Sequence, residues 1–246
     1  MYDLEISDVS VFLNLDIDVV LICSGITDIK FCQSHPVFSF NVNVIKTLEL
    51  INYFISKKIF VIFLSTSSVF DGNIKFPNEK NVLNPSTIYG FQKSEVERLS
   101  SSILNANIFL AIVRITKVIN FNREPFRTFI CKLKNAEEIF PFSDLTFSPV
   151  SLNYVTSSLL KIAKNREAGI YHLTGSEDIN YYDFLKKISK FMKLNTELVK
   201  QGNTIDIKNR PLFTPKYASL GLTDKNLKLM IKSQPIEEVV KFSETT

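Results

Sequence analysis

Short unbroken apolar runs alternate along this chain with longer stretches in which apolar residues recur every three or four positions. VVLIC (19–23), IFVIFL (59–64) and IFLAIVRI (108–115) are the unbroken runs, as expected of strands buried on both faces. Residues 37–56 carry Phe40, Val44, Leu48, Ile51 and Ile55 at helical steps, which predicts an amphipathic helix. Residues 86–104 predict a second helix, with Asn84 and Pro85 as start signals. Strand, helix, strand, helix, strand in this order predicts a parallel α/β sheet.

The second half is less regular. Residues 126–136 and 151–164 read as helices, 170–173 as a short strand, and 180–193 as a helix capped by Asn180. NRPLFTP (209–215) reads as a loop, and the tail after Thr223 as helix broken before Pro235. The change of pattern near residue 120 predicts an α/β core over 1–120 and a smaller lobe over 121–246, part of which returns to the core.

Composition narrows the function classes. The 246 residues are 45% hydrophobic and 22% charged, enough apolar content for a real core. The net charge of +4 is spread without long blocks, and no helix reads as a basic stripe with interleaved aromatics. That points away from nucleic acid. His35 and His172 are the two histidines and lie far apart in sequence, so no metal site is expected. Three cysteines without a CxxC pair fit a reducing cytoplasm, with Cys23 in an apolar run as a small core residue. The start, MYDLEISD, is acidic rather than a cationic-then-apolar leader. The longest apolar runs fall far short of the ~20 residues of a membrane span.

Candidate chemistry sits in NPSTIYGFQKSEVE (84–97), where Tyr89 precedes Lys93 by four residues. Two other pairs share the spacing, Tyr53/Lys57 and Tyr182/Lys186, and chance alone gives roughly one. Tyr89/Lys93 stands apart because it follows a buried strand that ends in LSTSSVFDG (64–72). Ligands of parallel α/β sheets bind at the carboxyl ends of strands. A lysine ammonium beside the phenol would lower the tyrosine pKa from ~10, making Tyr89 a proton donor to a carbonyl, with the Thr66 hydroxyl holding the carbonyl oxygen. The alternative on these residues alone is a Ser/Thr-rich turn beside a surface tyrosine.

LSTSSVFDG followed by NPSTIYGFQKSEVE resembles the extended short-chain dehydrogenase/reductase family, in particular its dTDP-4-dehydrorhamnose reductase branch. DVVLICSGITDIKFCQSHPVFSFNVNV (18–44), GIYHLTG (169–175) and NRP (209–211) carry the likeness along most of the chain. The resemblance implies a Rossmann-like parallel sheet and a small C-terminal α/β substrate lobe. It implies Thr66, Tyr89 and Lys93 as catalytic residues, Ser24, Asn43 and Lys93 as NAD(P)H-binding residues, and Asp144, Tyr171 and Arg210 as substrate-binding residues lining one cleft. Glu97 matches a glutamate after the lysine, where an ion pair along the helix is its ordinary role. Arg114 matches an arginine on the following strand. The substrate implied is a nucleotide sugar whose 4-keto group is reduced with NAD(P)H.

Two departures qualify the likeness. The family opens with a strand, a glycine-rich turn and a helix that cradle the cofactor pyrophosphate. The seven glycines here (25, 72, 90, 169, 175, 202 and 221) are too dispersed to make that turn. The fold expected is therefore α/β, a Rossmann-like sheet truncated at its amino end, with NAD(P)H binding weakened. The strand at 19–23 should then have an open edge, covered by the 4–6 segment, a second copy of the chain or a partner. SDLTFSPV (143–150) keeps Asp144 and Pro149 of the family's D-Q-x-G-x-P-T but not its Gln, Gly or Thr. Two further readings stand beside the reductase: a cofactor-poor regulatory or sugar-nucleotide-binding protein on the same scaffold, and an incomplete, inactive gene product.

Overall fold

The computed structural model describes residues 12, 16–102, 109–208 and 210–241. β1 (Val19–Ile22) leads to a turn at Asp28, whose carboxylate accepts the Lys30 and Phe31 N–H groups and caps α1 (Ile29–Ser34). Pro36 opens α2 (Pro36–Phe40). The chain widens into a π-helical stretch, Asn41–Lys46, and returns to α geometry as α3 (Thr47–Ser56). Periodicity predicted one helix over 37–56; the π stretch interrupts it, and Val42, Asn43 and Val44 are buried there.

β2 (Phe60–Thr66) runs into a 3₁₀ turn at Ser67–Val69. α4 (Ile88–Leu99) starts after Thr87, whose hydroxyl accepts the Gly90 N–H at 3.0 Å. The expected start at Asn84 is displaced because the Asn84 side chain is engaged elsewhere, donating to Asp71 at 2.9 Å. β3 (Leu110–Ile115) and β4 (Lys117–Ile119) follow. Then come α5 (Phe126–Lys134), β5 (Thr146–Phe147), β6 (Pro149–Ser151), α6 (Leu152–Asn165) and β7 (Gly169–Leu173). β8 (Ile179–Asn180), α7 (Tyr181–Phe191), α8 (Asp224–Lys228) and α9 (Ile236–Lys241) complete the described chain. Asn180 caps α7 as predicted, accepting the Asp183 N–H at 2.7 Å. The expectations for 4–6, for the helix end and strand start within 103–108, and for Asn209 lie outside the described residues.

β1, β2, β3 and β7 form one four-stranded sheet in that order, all parallel. Alternate residues of β2 serve opposite faces. Val61 and Phe63 pack with Leu50, Ile51 and Phe54 of α3 and Val96 of α4. Phe60 and Ile62 pack with Val155, Leu159 and Ile162 of α6. Each such side chain contributes about 1.5–3 kcal/mol by leaving water, so both faces must be covered, which is why β2 reads as an unbroken apolar run. Among the described residues β1 stands at one edge of the sheet, with Leu21 exposed. A third cluster joins Phe126, Ile130, Phe147, Phe184, Ile188 and Val239 beside the sheet. α8 returns to the sheet, where Asn226 bonds the backbone of His172 on β7.

Cys23 is exposed and Cys32 is buried, the reverse of the expectation for Cys23. Cys23 falls just past the end of β1, where the chain opens into a loop. No helix among the described residues is long and apolar enough to cross a membrane.

Candidate functional site at the carboxyl edge of the sheet

Thr66 is the last residue of β2, and the turn after it folds back on its hydroxyl, which accepts the Ser68 N–H at 3.2 Å. α4 docks against this turn at Gly90. A Cβ at Gly90 would lie 2.1 Å from the Ser68 carbonyl oxygen, so the helix can approach only with glycine there. That contact brings Tyr89, in the first turn of α4, to Thr66, so that the two hydroxyls lie near each other. Lys93 lies one helical turn on. It is buried, donates to the Leu64 carbonyl at 3.0 Å, and stands 4.6 Å from the centre of the Phe63 ring.

The electrostatics differ from the expectation in one respect. Burial, and secondarily the field of a Cys32 thiolate, push the Tyr89 pKa up to about 12, against a smaller lowering by the Thr66 hydroxyl. Lys93 is turned to the Leu64 carbonyl and does not lower the phenol's pKa. Desolvation brings Lys93 itself down to about 8, partly offset by Glu97, Cys23 and Cys32. Near neutral pH Tyr89 therefore carries its proton and Lys93 is mostly cationic. An alkoxide is a stronger base than a phenolate, so such a tyrosine can still protonate one.

Beneath the site lies a buried polar network that the sequence reading missed. Glu97 pairs not with Lys93 but with Arg114 of β3, Nη2 to Oε2 at 2.6 Å and Nε to Oε2 at 3.0 Å. The Ser65 hydroxyl donates to Glu97 Oε1 at 2.5 Å. The free edge of Arg114 meets His172 Nε2 at 3.2 Å, and His172 Nδ1 lies 2.7 Å from the Gly221 carbonyl. The Gly221 contact makes Nδ1 the donor and leaves Nε2 to accept from Arg114. Burial first, then Arg114, push the His172 pKa down to about 3, so the ring is neutral. An arginine inside the apolar run LAIVRI was the available signal: a buried cation needs an anion.

Other predicted site residues take different places. Asn43 is buried and spends its amide on the protein: Oδ1 accepts the Ile26 N–H at 2.8 Å, and Nδ2 donates to the Ile26 carbonyl at 2.9 Å and Gln92 Oε1 at 2.8 Å. Both amide hydrogens are used, so Asn43 clamps the 23–28 loop rather than offering a donor to a cofactor. Ser24 is exposed on that loop. Tyr171 is wholly buried in the sheet core and donates to the Glu167 carbonyl at 2.8 Å, which removes it from the cleft wall. Asp144 is exposed and accepts from the Thr204 N–H and hydroxyl, at 2.9 and 2.6 Å. Its slight burial would raise its pKa, but these bonds outweigh it and hold the carboxyl low. Arg210 is exposed and donates to the Ile205 carbonyl at 3.4 Å.

A cleft of about 420 Å³ opens beside Thr66. Thr116 and Ser148 also border it, and Phe147, Tyr181, Leu212 and Phe213 supply much of its apolar wall. Arg210 itself is not among the residues lining it, although its neighbours Pro211–Phe213 are. For NAD(P)H the fit is partial. Ser24, exposed on the 23–28 loop, and Lys93, buried on α4, are the polar residues on offer. The described residues contain no closely spaced glycines to cradle a pyrophosphate.

Comparison with known proteins gives concordant results. The chain is 23% identical over 97% of its length to the probable low-salt glycan biosynthesis reductase Agl14 of Haloferax volcanii, 82% of which is covered. It is 26% identical over 67% of its length to methionine adenosyltransferase 2 subunit beta of Xenopus tropicalis, of which the match covers 52%. Its fold superposes with a TM-score of 0.84 on the crystal structure of dTDP-4-dehydrorhamnose reductase from Bacillus anthracis in complex with NADP, at 19% identity, over 96% of this chain and 83% of that one. The family model described as RmlD substrate binding domain matches residues 5–243. The chain belongs to the RmlD substrate binding domain family.

Proposed function

We propose that this protein reduces the 4-keto group of a nucleotide sugar, with Thr66 holding the carbonyl oxygen and Tyr89 giving it a proton. The observation that carries the reading is the placement of the Tyr89 hydroxyl beside that of Thr66 at the carboxyl edge of the sheet, next to a cleft of about 420 Å³ that Thr66 lines. Two neighbouring hydroxyls are placed to grip a carbonyl oxygen between them. NAD(P)H, when bound, would supply the hydride, with Ser24 and Lys93 on its nicotinamide side. As hydride reaches the carbon, negative charge gathers on the oxygen. Tyr89, protonated to about pH 12, transfers its proton there. The Lys93 ammonium, held on the Leu64 carbonyl, supplies fixed positive charge at the edge of the sheet. The fold neighbour solved with NADP and the glycan-biosynthesis reductase relative support this reading. The test is incubation with NADPH and a dTDP-4-keto-6-deoxy sugar, followed by separation of the products. A reduced dTDP-sugar should form, and Thr66→Val should slow its formation at least tenfold.

A second reading, a cofactor-poor binding or regulatory protein, is favoured by the dispersed glycines and by the likeness to methionine adenosyltransferase 2 subunit beta. It predicts nucleotide-sugar binding with no turnover at any NADPH concentration.

A further inference from the structure

One cation on the cleft wall lacks a counter-charge among the described residues. Lys117 opens β4, where it is in register with Pro149 of β6, and its N–H donates to the Ser148 carbonyl at 3.1 Å. Lys117 lines the same cavity as Thr66, Thr116 and Ser148. Among the described residues, the Lys117 ammonium makes no hydrogen bond and no ion pair. Lys117 is an exposed residue, so solvent screens its charge, although partial desolvation still lowers its pKa from the ordinary lysine value. Two other charged residues line the cavity, Asp28 and Lys30. The Asp28 carboxylate is engaged as the cap of α1, accepting the Lys30 and Phe31 N–H groups at 2.8 and 3.1 Å.

A partly desolvated cation costs free energy that an anion can recover, and a charge-assisted hydrogen bond strengthens as water leaves. We propose that Lys117 is the anion-recognising residue of this cleft and selects a substrate that carries a phosphate or carboxylate group into the cavity lined by Thr66. The inference rests on reading that cavity as the substrate site. The anion has two sources in a nucleotide sugar: the diphosphate that joins the sugar to the nucleoside, or an acid group on the sugar itself.

The experiment is calorimetric titration of the 246-residue chain, without cofactor, with thymidine diphosphate, inorganic pyrophosphate, glucuronate and uncharged thymidine. Wild type, Lys117→Gln and Lys117→Arg are compared, with thermal melts as a control for folding. At least one anionic probe should bind wild type and lose tenfold or more in affinity in Lys117→Gln, with most recovered in Lys117→Arg. Thymidine should not distinguish the variants. Loss for the two phosphates identifies the diphosphate as the source; loss for glucuronate identifies a sugar acid. The proposal is overturned if every probe binds Lys117→Gln within twofold of wild type, or if no anionic probe binds wild type. Tyr89→Phe should leave these affinities in place. Failure of sugar reduction alongside intact Lys117-dependent binding would therefore remove the reductase reading alone.

Discussion

Gly90 and Ser68 approach so closely that a Cβ on Gly90 would lie 2.1 Å from the Ser68 carbonyl oxygen. This contact seats the first turn of α4 on the turn that follows β2, and through it Tyr89 reaches Thr66. Gly90→Ala must push α4 away from β2. We expect a stability loss of roughly 1–3 kcal/mol in denaturant titration, of the size typical for overpacking. Any sugar-reducing activity should fall further than that loss explains, because Tyr89 is moved away from Thr66 in the folded protein.

The Glu97–Arg114 pair is almost wholly buried, with side chains 3% and 2% exposed. Removing one partner leaves the other charge without compensation, so Glu97→Gln and Arg114→Met should each cost about 3–5 kcal/mol. The double variant Glu97→Gln/Arg114→Met should cost less than the sum of the two. Urea midpoints of the four proteins check this, and strict additivity would mean that the pair is not coupled.

The sheet was legible in the sequence because its physics is local. A strand covered on both faces must be apolar throughout, and IFVIFL and LAIVRI are. The Thr66/Tyr89/Lys93 cluster was legible because its members lie on one strand end and one helix turn. What misled was long-range pairing. Glu97 stands four residues after Lys93, yet its partner, Arg114, comes from the next strand. Asn43 and Tyr171 carry polar atoms that a ligand could use, but the Ile26 backbone and the Glu167 carbonyl take them. Lys117 drew no notice because nothing in VRITKVIN says that the chain around it closes over a cleft.

Lys93 gives a pH signature. Its folded pKa of about 8 lies below its ordinary 10.5, so between those values the unfolded chain binds more protons than the folded one. Stability from this group therefore rises with pH from about 8 to 10.5, by at most roughly 3 kcal/mol. The check is the difference in unfolding free energy between wild type and Lys93→Met at pH 7 and pH 10. It should shift in favour of wild type at the higher pH, and no shift would mean that Lys93 is not desolvated.

NADPH should bind this 246-residue chain weakly. Close approach of backbone N–H groups to a pyrophosphate needs clustered glycines, and these are dispersed. Fluorescence titration should give an affinity weaker than micromolar, which corresponds to less than about 8 kcal/mol of binding free energy. Micromolar binding would reveal another cradle.

The claim that Tyr89 is the proton donor is tested most directly by the rate of dTDP-sugar product formation in wild type and Tyr89→Phe, both at millimolar NADPH. Phenylalanine keeps the ring and removes the hydroxyl. The account predicts slow but measurable reduction by wild type and a rate at least 100-fold lower in Tyr89→Phe, with nucleotide-sugar affinity unchanged, in the range general acid catalysis supplies. Equal rates in the two proteins, or no reduction by wild type, would contradict it.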